Sequence, residues 1–226
     1  MLQNRWIDVD QFLSNLLNPP DPVLDAALQA MNEAGLPSYQ VSPMQGKLLS
    51  ILAAGIQARS ILEIGTLGGY STIWLARALP PDGRLITLEA DPRHAAVARK
   101  NIANAGLGNK VDVRLGLALD SLAQIAKEGN AEFDLVFIDA DKPNTMAYYD
   151  WALKHTHPGS LIIIDNVVRN GDLVDPRFND SSIKNMRELI HSIASDPNVT
   201  ATAFQTVGAK GYDGLAIALV TANGNK

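Results

Sequence analysis

Two short segments carry the side chains with the most chemical potential, FIDADK at 137–142 and IIIDNV at 162–167. Asp139 follows the first apolar run, and Asp165 and Asn166 follow the second. Parallel strands that end side by side would bring these three side chains to one edge of a sheet. Two carboxylates and an amide carbonyl form a half-filled shell of oxygen ligands, which suits Mg²⁺, Mn²⁺ or Ca²⁺ better than Zn²⁺. The pattern predicts a divalent-cation site; a simple turn at Asp165 and Asn166 is the structural alternative.

Lys142 comes three residues after Asp139. Next to a divalent cation the ammonium form of a lysine is disfavoured, so Lys142 could act as a general base. A solvated lysine at the start of a helix is the alternative interpretation.

The segment ILEIGTLGGYS at 61–71 begins as an apolar strand and then contains three glycines within five residues. Leu67 stands where the dinucleotide fingerprint G-x-G-x-x-G requires its second glycine, and the P-loop pattern is absent. Glu89 ends the next apolar run, where a carboxylate can accept hydrogen bonds from both hydroxyls of a ribose. These features predict a nucleoside-bearing cofactor that is not a triphosphate; a purely structural strand-to-helix turn is the alternative.

Acids recur at the ends of the predicted strands. Glu63, Glu89, Asp139 and Asp165 belong to the first, second, fourth and fifth runs. We expect them to line one negatively charged mouth, although each alone could cap the following helix.

The elements that position these residues alternate in type from Ser60 onwards. Residues 1–57 contain only helical patterns, with helix starts at Asp21-Pro22 and Ser42-Pro43. Five β-rich runs then alternate with helical stretches, which indicates an α/β fold with a doubly wound, mostly parallel sheet: SILEI, RLITLE, VDVRLG, FDLVFID and SLIIID. After a helix near 183–194, TATAFQTV and GLAIALV predict a closing antiparallel pair, which gives seven strands.

Composition excludes several classes of protein. The chain has 226 residues, a net charge of −5 and no basic block, which argues against nucleic-acid binding. It has no cysteine, so disulfides and thiolate metal sites are excluded. There is no apolar run of about 20 residues and no signal-peptide pattern at the N-terminus. We expect a cytoplasmic protein that forms one domain over 1–226, with a helical cap at 1–57 and an α/β core at 58–226.

In their order and spacing, LEIGTLGGYST, LEADP, FIDADK and IDNVVRNG make the chain resemble the cation-dependent class I O-methyltransferases. This family includes catechol and caffeoyl-coenzyme A O-methyltransferases and many small bacterial relatives. The resemblance covers residues 41–220 and implies a Rossmann-like fold, S-adenosylmethionine as cofactor and a divalent cation, Mg²⁺ foremost. It also implies a catechol-like acceptor with vicinal hydroxyls, and a homodimer.

The resemblance also implies roles for individual residues. The metal ligands would be Asp139, Asp165 and Asn166, and the catalytic residues Lys142 and Asp139. Glu63 would engage the methionine part of the cofactor and Glu89 its ribose. Asn170 would lie near the substrate. Further cofactor contacts would come from Val41, Gly65, Thr66, Ser71, Ala118 and Asp141.

Other classes of function stay open at this point. They are a metal-independent N- or O-methyltransferase, a nicotinamide-dependent oxidoreductase and a binding protein without catalysis. The histidines at 94, 155, 157 and 191 form no local ligand set, so we expect surface or helix-end roles for them. Trp74 is expected in the core.

Overall fold

One seven-stranded sheet organises the computed structural model, which describes residues 2–129 and 132–221. The predicted domain, 1–226, also includes residues 1, 130–131 and 222–226, which lie outside the described residues. The strand order is β3-β2-β1-β4-β5-β7-β6. β1 to β5 are parallel, and β7 runs antiparallel to both of its neighbours, which confirms the predicted fold class. The strands are Ser60–Ile64, Arg84–Glu89, Val111–Leu115, Phe133–Ile138, Thr156–Asp165, Val199–Gly208 and Gly211–Val220.

Helices precede the sheet and connect its strands. α1, α2 and α3 come first and span Leu2–Leu17, Pro22–Glu33 and Pro43–Gly55. The connecting helices α4 to α8 are Tyr70–Ala78, Pro92–Asn104, Ala118–Glu128, Thr145–Lys154 and Ser181–Ser195. Within the described residues, no helix combines the length and the apolarity needed to cross a membrane.

The sheet is covered on both faces because its central strands are apolar on both sides. Ile61 and Phe137 pack into one core with α2 to α5, whereas Leu62 and Val136 pack into a second core with α6 to α8. Trp74 packs against the first core, as expected. Burying both sides of parallel strands in this way is the expected result of their near-continuous apolar sequences.

Caps explain where the helices begin. Asp21 accepts the N–H groups of Val23 and Leu24, and Ser42 forms a capping box with Gln45, as the sequence predicts. Asp180 caps α8, which therefore begins at Ser181 rather than near residue 183.

β5 also differs from its prediction, because it begins at Thr156 instead of Ser160. Pro158 and Gly159 suggest a turn in the sequence, and Gly159 has a φ of +97°. β5 nevertheless continues, because the extra residues are absorbed as a shift of register against β4.

The strand order reverses between β1 and β4, which are neighbours on either side of the switch point. The connections leaving β1 and β4 therefore diverge, and a crevice opens beyond the carboxyl ends of the strands. The glycine segment after β1 and Asp139 after β4 both face this crevice.

Asp134 connects β1, β4 and β5 at the amino ends of these strands, opposite the cleft. Its Oδ2 accepts the N–H groups of Arg59 and Ser60 at 2.7 and 2.9 Å, and its Oδ1 lies 2.9 Å from Nε2 of His157. Burial acts to raise the pKa of Asp134, but these three partners together outweigh it and lower the pKa. The carbonyl of Pro158, followed by Asp134, raises the pKa of His157.

Replacing Asp134 should therefore weaken the fold. Asp134→Asn keeps the shape but loses a charged acceptor, so we expect the free energy of unfolding to fall by about 1–3 kcal/mol in urea titrations at pH 6. The part contributed by His157 is present below its usual pKa and is lost as pH rises through the raised pKa of the folded state, so the difference should shrink at pH 8. Asp82→Asn is the control, because Asp82 also pairs with Arg59 but is exposed, and it should cost less than about 1 kcal/mol. Equal effects of the two substitutions would contradict the role of Asp134.

Candidate functional site

An open cleft of about 1290 Å³ lies beyond the carboxyl ends of the strands. This volume exceeds the usual ~300–1,000 Å³ of a small-molecule site, so it can admit a cofactor together with a second molecule. With one exception, the site residues predicted from the sequence line this single cleft: Val41, Gly65, Thr66, Ser71, Glu89, Ala118, Asp139, Asp141, Lys142, Asp165, Asn166 and Asn170.

Glu63 is the exception, and the expected mouth of four acids is wrong in this respect. Its side chain is completely buried beneath the cleft, and its carboxylate accepts hydroxyl hydrogen bonds from Ser71 at 2.6 Å, Thr72 at 2.5 Å and Thr87 at 2.7 Å. Burial raises the pKa of Glu63 to about 7, although the three hydroxyls oppose that rise. Among these partners Ser71 lines the cleft, so Glu63 is linked to the cleft through Ser71. A direct contact of Glu63 with a cofactor stays a prediction.

The glycine at position 65 is required by a close approach of two strand ends. Gly65 has a φ of +103°, and a Cβ built there would lie 1.9 Å from the carbonyl oxygen of Asp139. No other residue fits between the ends of β1 and β4 without moving the backbone. The loop is thereby held against the acid-bearing end of β4.

Glu89 fastens the glycine loop from the other side. Its Oε2 accepts the N–H of Leu67 at 2.7 Å, and its Oε1 accepts the N–H of Asp91 at 2.9 Å. Each carboxylate oxygen can accept a second hydrogen bond, so Glu89 keeps acceptor capacity on the cleft side. His94 lies in the first turn of α5, one of the helix-end positions expected for the histidines, and it also lines the cleft, with Nδ1 3.6 Å from Oε1 of Glu89.

Asp139 and Asp165 meet at the ends of neighbouring strands, as expected. Burial raises the pKa of both carboxyls, and for Asp165 the charge of Asp139 raises the pKa further. Nζ of Lys142 lies 3.7 Å from Oδ1 of Asp139 and 3.5 Å from the carbonyl oxygen of Asp165. One lysine thus faces two crowded carboxylates.

The donor set fits a hard divalent cation. Asp165 is buried and Asp139 half-buried, and a cation would favour the ionised form of both of these mutually repelling acids; Asn166 adds an amide oxygen. The described residues contain no cluster of three or more carboxylate, imidazole or thiolate side chains suited to a metal ion. A cation at this place would therefore depend on the oxygen of Asn166 and on water for its remaining ligands.

Asp213 is a third acid at this edge that sequence reasoning missed. It lines the cleft, and its Oδ1 accepts the N–H groups of Val168 and Arg169, both at 3.0 Å. Its charge contributes to the raised pKa of Asp139 and of Asp165. Its position in AKGYDG after β6 gave no local signal, because β7 meets β5 only through long-range pairing.

The N-terminal segment and the β6–β7 hairpin close one side of the cleft. Nζ of Lys210 donates to the carbonyl of Ser38 at 2.7 Å, and Oδ2 of Asp10 accepts the N–H of Ala209 at 3.0 Å. Burial lowers the pKa of Lys210. The sequence singled out none of the lining residues Asp10, Ser38, Tyr39, Lys210 and Tyr212. For Asp10, Ser38 and Lys210 the reason is that their partners lie more than 170 positions away.

Asp141 is oriented by the helix that follows it. Its Oδ1 accepts the hydroxyl hydrogen bond of Tyr148 at 2.5 Å, and its Oδ2 accepts Nδ2 of Asn144 at 2.6 Å. The side chain is therefore fixed at the wall of the cleft.

The chain is similar to known proteins over most of its length. A family model described as O-methyltransferase matches residues 21–219. A catechol O-methyltransferase of Niastella koreensis is 50% identical over 94% of this chain and 96% of that protein, and one of Mycobacterium tuberculosis is 50% identical over 94% and 95%. The crystal structure of an O-methyltransferase from Bacillus cereus in complex with SAH has 53% identity and a TM-score of 0.94, and covers 96% of this chain and 99% of that one. The O-methyltransferase TomG from Streptomyces achromogenes, solved in complex with SAM, has 49% identity and a TM-score of 0.94, with coverage of 98% and 100%.

Glu63 should make the stability of the chain depend on pH in a defined direction. Its pKa is higher in the folded chain than its usual 4.5, so the stabilisation is complete below pH 4.5 and is lost as pH rises through about 7. At about 1.4 kcal/mol per pH unit, the wild-type chain should lose about 3 kcal/mol relative to Glu63→Gln between pH 4.5 and pH 8.

Urea titrations across this pH range would measure that difference. Glu128→Gln is the control, because Glu128 is exposed and pairs with Arg114 at the surface, and its curve should stay parallel to the wild type. A Glu63→Gln curve that is also parallel to the wild type would contradict a raised pKa at Glu63.

Proposed function

The chain belongs to the O-methyltransferase family and is an S-adenosylmethionine-dependent O-methyltransferase, and from this premise we propose that its acceptor is a catechol-like small molecule and that transfer requires a divalent cation. The observation that carries the proposal is the convergence of Asp139, Asp165, Asn166 and Lys142 in the cleft that also contains Glu89 and the glycine loop. Two proteins named catechol O-methyltransferase, each 50% identical to this chain, favour the same acceptor.

Cofactor binding would use the wall formed by the ends of β1 and β2. When bound, S-adenosylmethionine supplies a sulfonium methyl group as the electrophile. Glu89 would accept the ribose hydroxyls with the lone pairs that Leu67 and Asp91 leave free. Ser71, whose hydroxyl donates to Glu63, would contact the methionine part. The remaining contacts would come from Val41, Gly65, Thr66, Ala118 and Asp141.

The carboxyl ends of β4 and β5, which carry Asp139 and Asp165 and are here called the acid-bearing edge, would hold the cation and help to deprotonate the acceptor. Asp139, Asp165 and Asn166 would be the ligands, and Mg²⁺ suits their oxygens best. When bound, the cation supplies positive charge that makes a neighbouring phenolic hydroxyl more acidic. Nζ of Lys142 would take the proton from that hydroxyl, and Asp139, 3.7 Å away, would stabilise the resulting ammonium.

The chain's contribution to the rate is mainly orientation. Asn170, Glu89 and Asp139 all line the cleft. In this proposal Asn170 would lie near the acceptor, Glu89 would belong to the cofactor wall and Asp139 to the acceptor wall. Holding two reactants in an attack geometry can supply up to ~7–11 kcal/mol of the barrier. Charge is lost in the transition state when an anionic oxygen attacks a sulfonium, so a cleft that excludes water favours the reaction.

A metal-independent methyl transfer is the second candidate. Nζ of Lys142 already lies beside the carboxylate of Asp139 and the backbone carbonyl of Asp165, and its charge partly offsets that of both acids, which favours a site that keeps its shape without a cation. Membership of the O-methyltransferase family excludes the nicotinamide-dependent oxidoreductase that the sequence had left open.

We also propose that two copies of the chain associate. α1 exposes several large apolar side chains, including Val9 at 51%, Phe12 at 63% and Leu16 at 65%, and a second copy would cover this face. Sedimentation equilibrium should give a dimer for the wild type and a monomer for Phe12→Ser, whereas a wild-type monomer would contradict the proposal. A cytoplasmic location and the absence of a nucleic-acid partner stay predictions from the sequence.

The proposed function is tested by methyl transfer from labelled S-adenosylmethionine to a panel of catechols, with Mg²⁺ or with EDTA. We expect transfer that needs the metal. Transfer that survives EDTA would remove the cation from the mechanism, and no transfer to any vicinal diol would contradict the acceptor class.

Two variants test the proposed cation ligand Asp165 and the proposed cofactor contact Glu89 separately. Asp165→Asn should reduce metal-dependent turnover at least about 100-fold, because a carboxylate ligand is lost, and should leave the dissociation constant of S-adenosylmethionine within about twofold. Glu89→Gln should do the reverse and weaken cofactor binding roughly tenfold or more, since a charged acceptor is lost. Methyl-transfer assays measure the turnover of the two variants, and calorimetric titration measures their dissociation constants for the cofactor. Equal effects of the two variants would rule out this division of roles.

A further inference from the structure

The segment that carries Asn166 and Asn170 has an unusual backbone. We call residues 166–175, between β5 and the approach to α8, the rim segment. Asn166, Arg169 and Asn170 have φ values of 59°, 55° and 56°, and Gly171 has a φ of 90°. Side chains with a Cβ rarely adopt this left-handed region, so contacts from outside the segment must hold it in place.

Arg187 of α8 supplies such contacts at the far end of the rim segment. Its Nε donates to the carbonyl of Leu173 at 2.7 Å, and its Nη2 donates to the carbonyls of Asp175 at 2.7 Å and Asp172 at 3.1 Å. A planar guanidinium is suited to bind several carbonyls in fixed directions. Met186 and Leu189, on either side of Arg187 in the sequence, are buried in the second core, so the base of the side chain is anchored.

Asp213 holds the near end of the same segment. Its Oδ1 accepts the N–H groups of Val168 and Arg169, both at 3.0 Å. The carboxylate of Asp213 therefore holds amide groups of the rim segment where the segment leaves the sheet. The guanidinium of Arg187 holds carbonyl groups of the segment where the segment approaches α8. Asn170 lies between these two attachments and depends on both for its position.

α8 also contacts the loop that follows β4, which carries Lys142. Nδ2 of Asn185 donates to the carbonyl of Pro143 at 3.1 Å, in the turn Lys142–Asn144. The first half of α8 thus contacts the loops after both β4 and β5 from behind the cleft, although neither Asn185 nor Arg187 lines the cleft.

On the basis of the roles proposed above for Asn166 and Asn170, we propose that Arg187 is a positioning residue, which holds the rim segment so that Asn170 faces the acceptor. Arg187 acts on the acceptor wall alone, because its three partners all belong to the rim segment and the cofactor wall is formed by β1 and β2. Its loss should therefore affect the acceptor and leave S-adenosylmethionine binding intact.

Arg177 provides a matched control. It is also an arginine near the rim segment, but it is exposed and contacts only Asp175, mainly through the side chain. Arg187→Met keeps the length of the side chain and removes every donor, and Arg187→Lys keeps the charge with a single donor group. Arg177→Met removes an arginine from the same surface without releasing a carbonyl of the segment.

Hydrogen–deuterium exchange on the full chain without turnover is the first readout. We expect Arg187→Met to speed exchange of the amides of residues 169–175 roughly tenfold or more, with Arg187→Lys intermediate and Arg177→Met unchanged. Amides of β1 and β4 should not change. Faster exchange throughout the sheet would mean that Arg187 only stabilises the fold and would overturn the proposal, as would unchanged exchange in the rim segment.

Steady-state kinetics with an unmethylated catechol that the wild type accepts as a substrate is the second readout. We expect Arg187→Met to raise the KM for the acceptor or lower kcat by roughly tenfold, with partial rescue in Arg187→Lys and an unaltered dissociation constant for S-adenosylmethionine. Faster exchange with unchanged kinetics would overturn the positioning role. The exchange measurement needs no acceptor, so failure of the wild type to methylate catechols would count against the proposed function alone, and exchange would still decide whether Arg187 holds the segment.

Discussion

Repulsion between carboxylates crowded at the carboxyl ends of β4 and β5, one of them buried and the others half-buried, is the constraint on which the site depends. Asp139 and Asp165 lie at the ends of adjacent strands, and Asp213 adds a third charge from β7. The fold offsets this repulsion with Lys142, with backbone N–H groups directed at Asp213, and with room for a cation. The same concentration of negative charge that is unfavourable for the isolated chain would favour the proposed cation, so stability and the proposed chemistry oppose each other here.

Glu63 and Glu89, the two glutamates of the proposed cofactor wall, differ in the groups that their carboxylates bind because they occupy different positions on their strands. Glu63 lies within β1, and three hydroxyls surround its carboxylate under the cleft. Glu89 ends β2, and its carboxylate holds two loop amides while it faces the cleft. Both acids fix the glycine loop, one from below through Ser71 and one from the side through Leu67. The loop is thus rigid before any cofactor arrives, which reduces the entropy that binding must lose.

Support for the acceptor side comes from elements that lie far apart in the chain. The N-terminal segment and the β6–β7 hairpin meet through Lys210 and Ser38, and α8 holds the loops from behind through Arg187. These contacts use backbone carbonyls and amides as partners. Such partners place few demands on the side chains of the loops themselves.

The sequence by itself determined the fold class and the capped starts of α2 and α3, and all but one of the site residues that it predicted line the cleft. These follow from local rules: apolar strands alternate with helices, and the residue after a parallel strand faces the crevice. Tertiary structure decided what those rules cannot reach. Asp213, Lys210 and Arg187 acquire their partners through pairings between distant segments, and Glu63 points beneath the cleft because its three hydroxyl partners, from α4 and β2, enclose it. Only the packed chain brings such partners within hydrogen-bond distance, so only the structure could assign them.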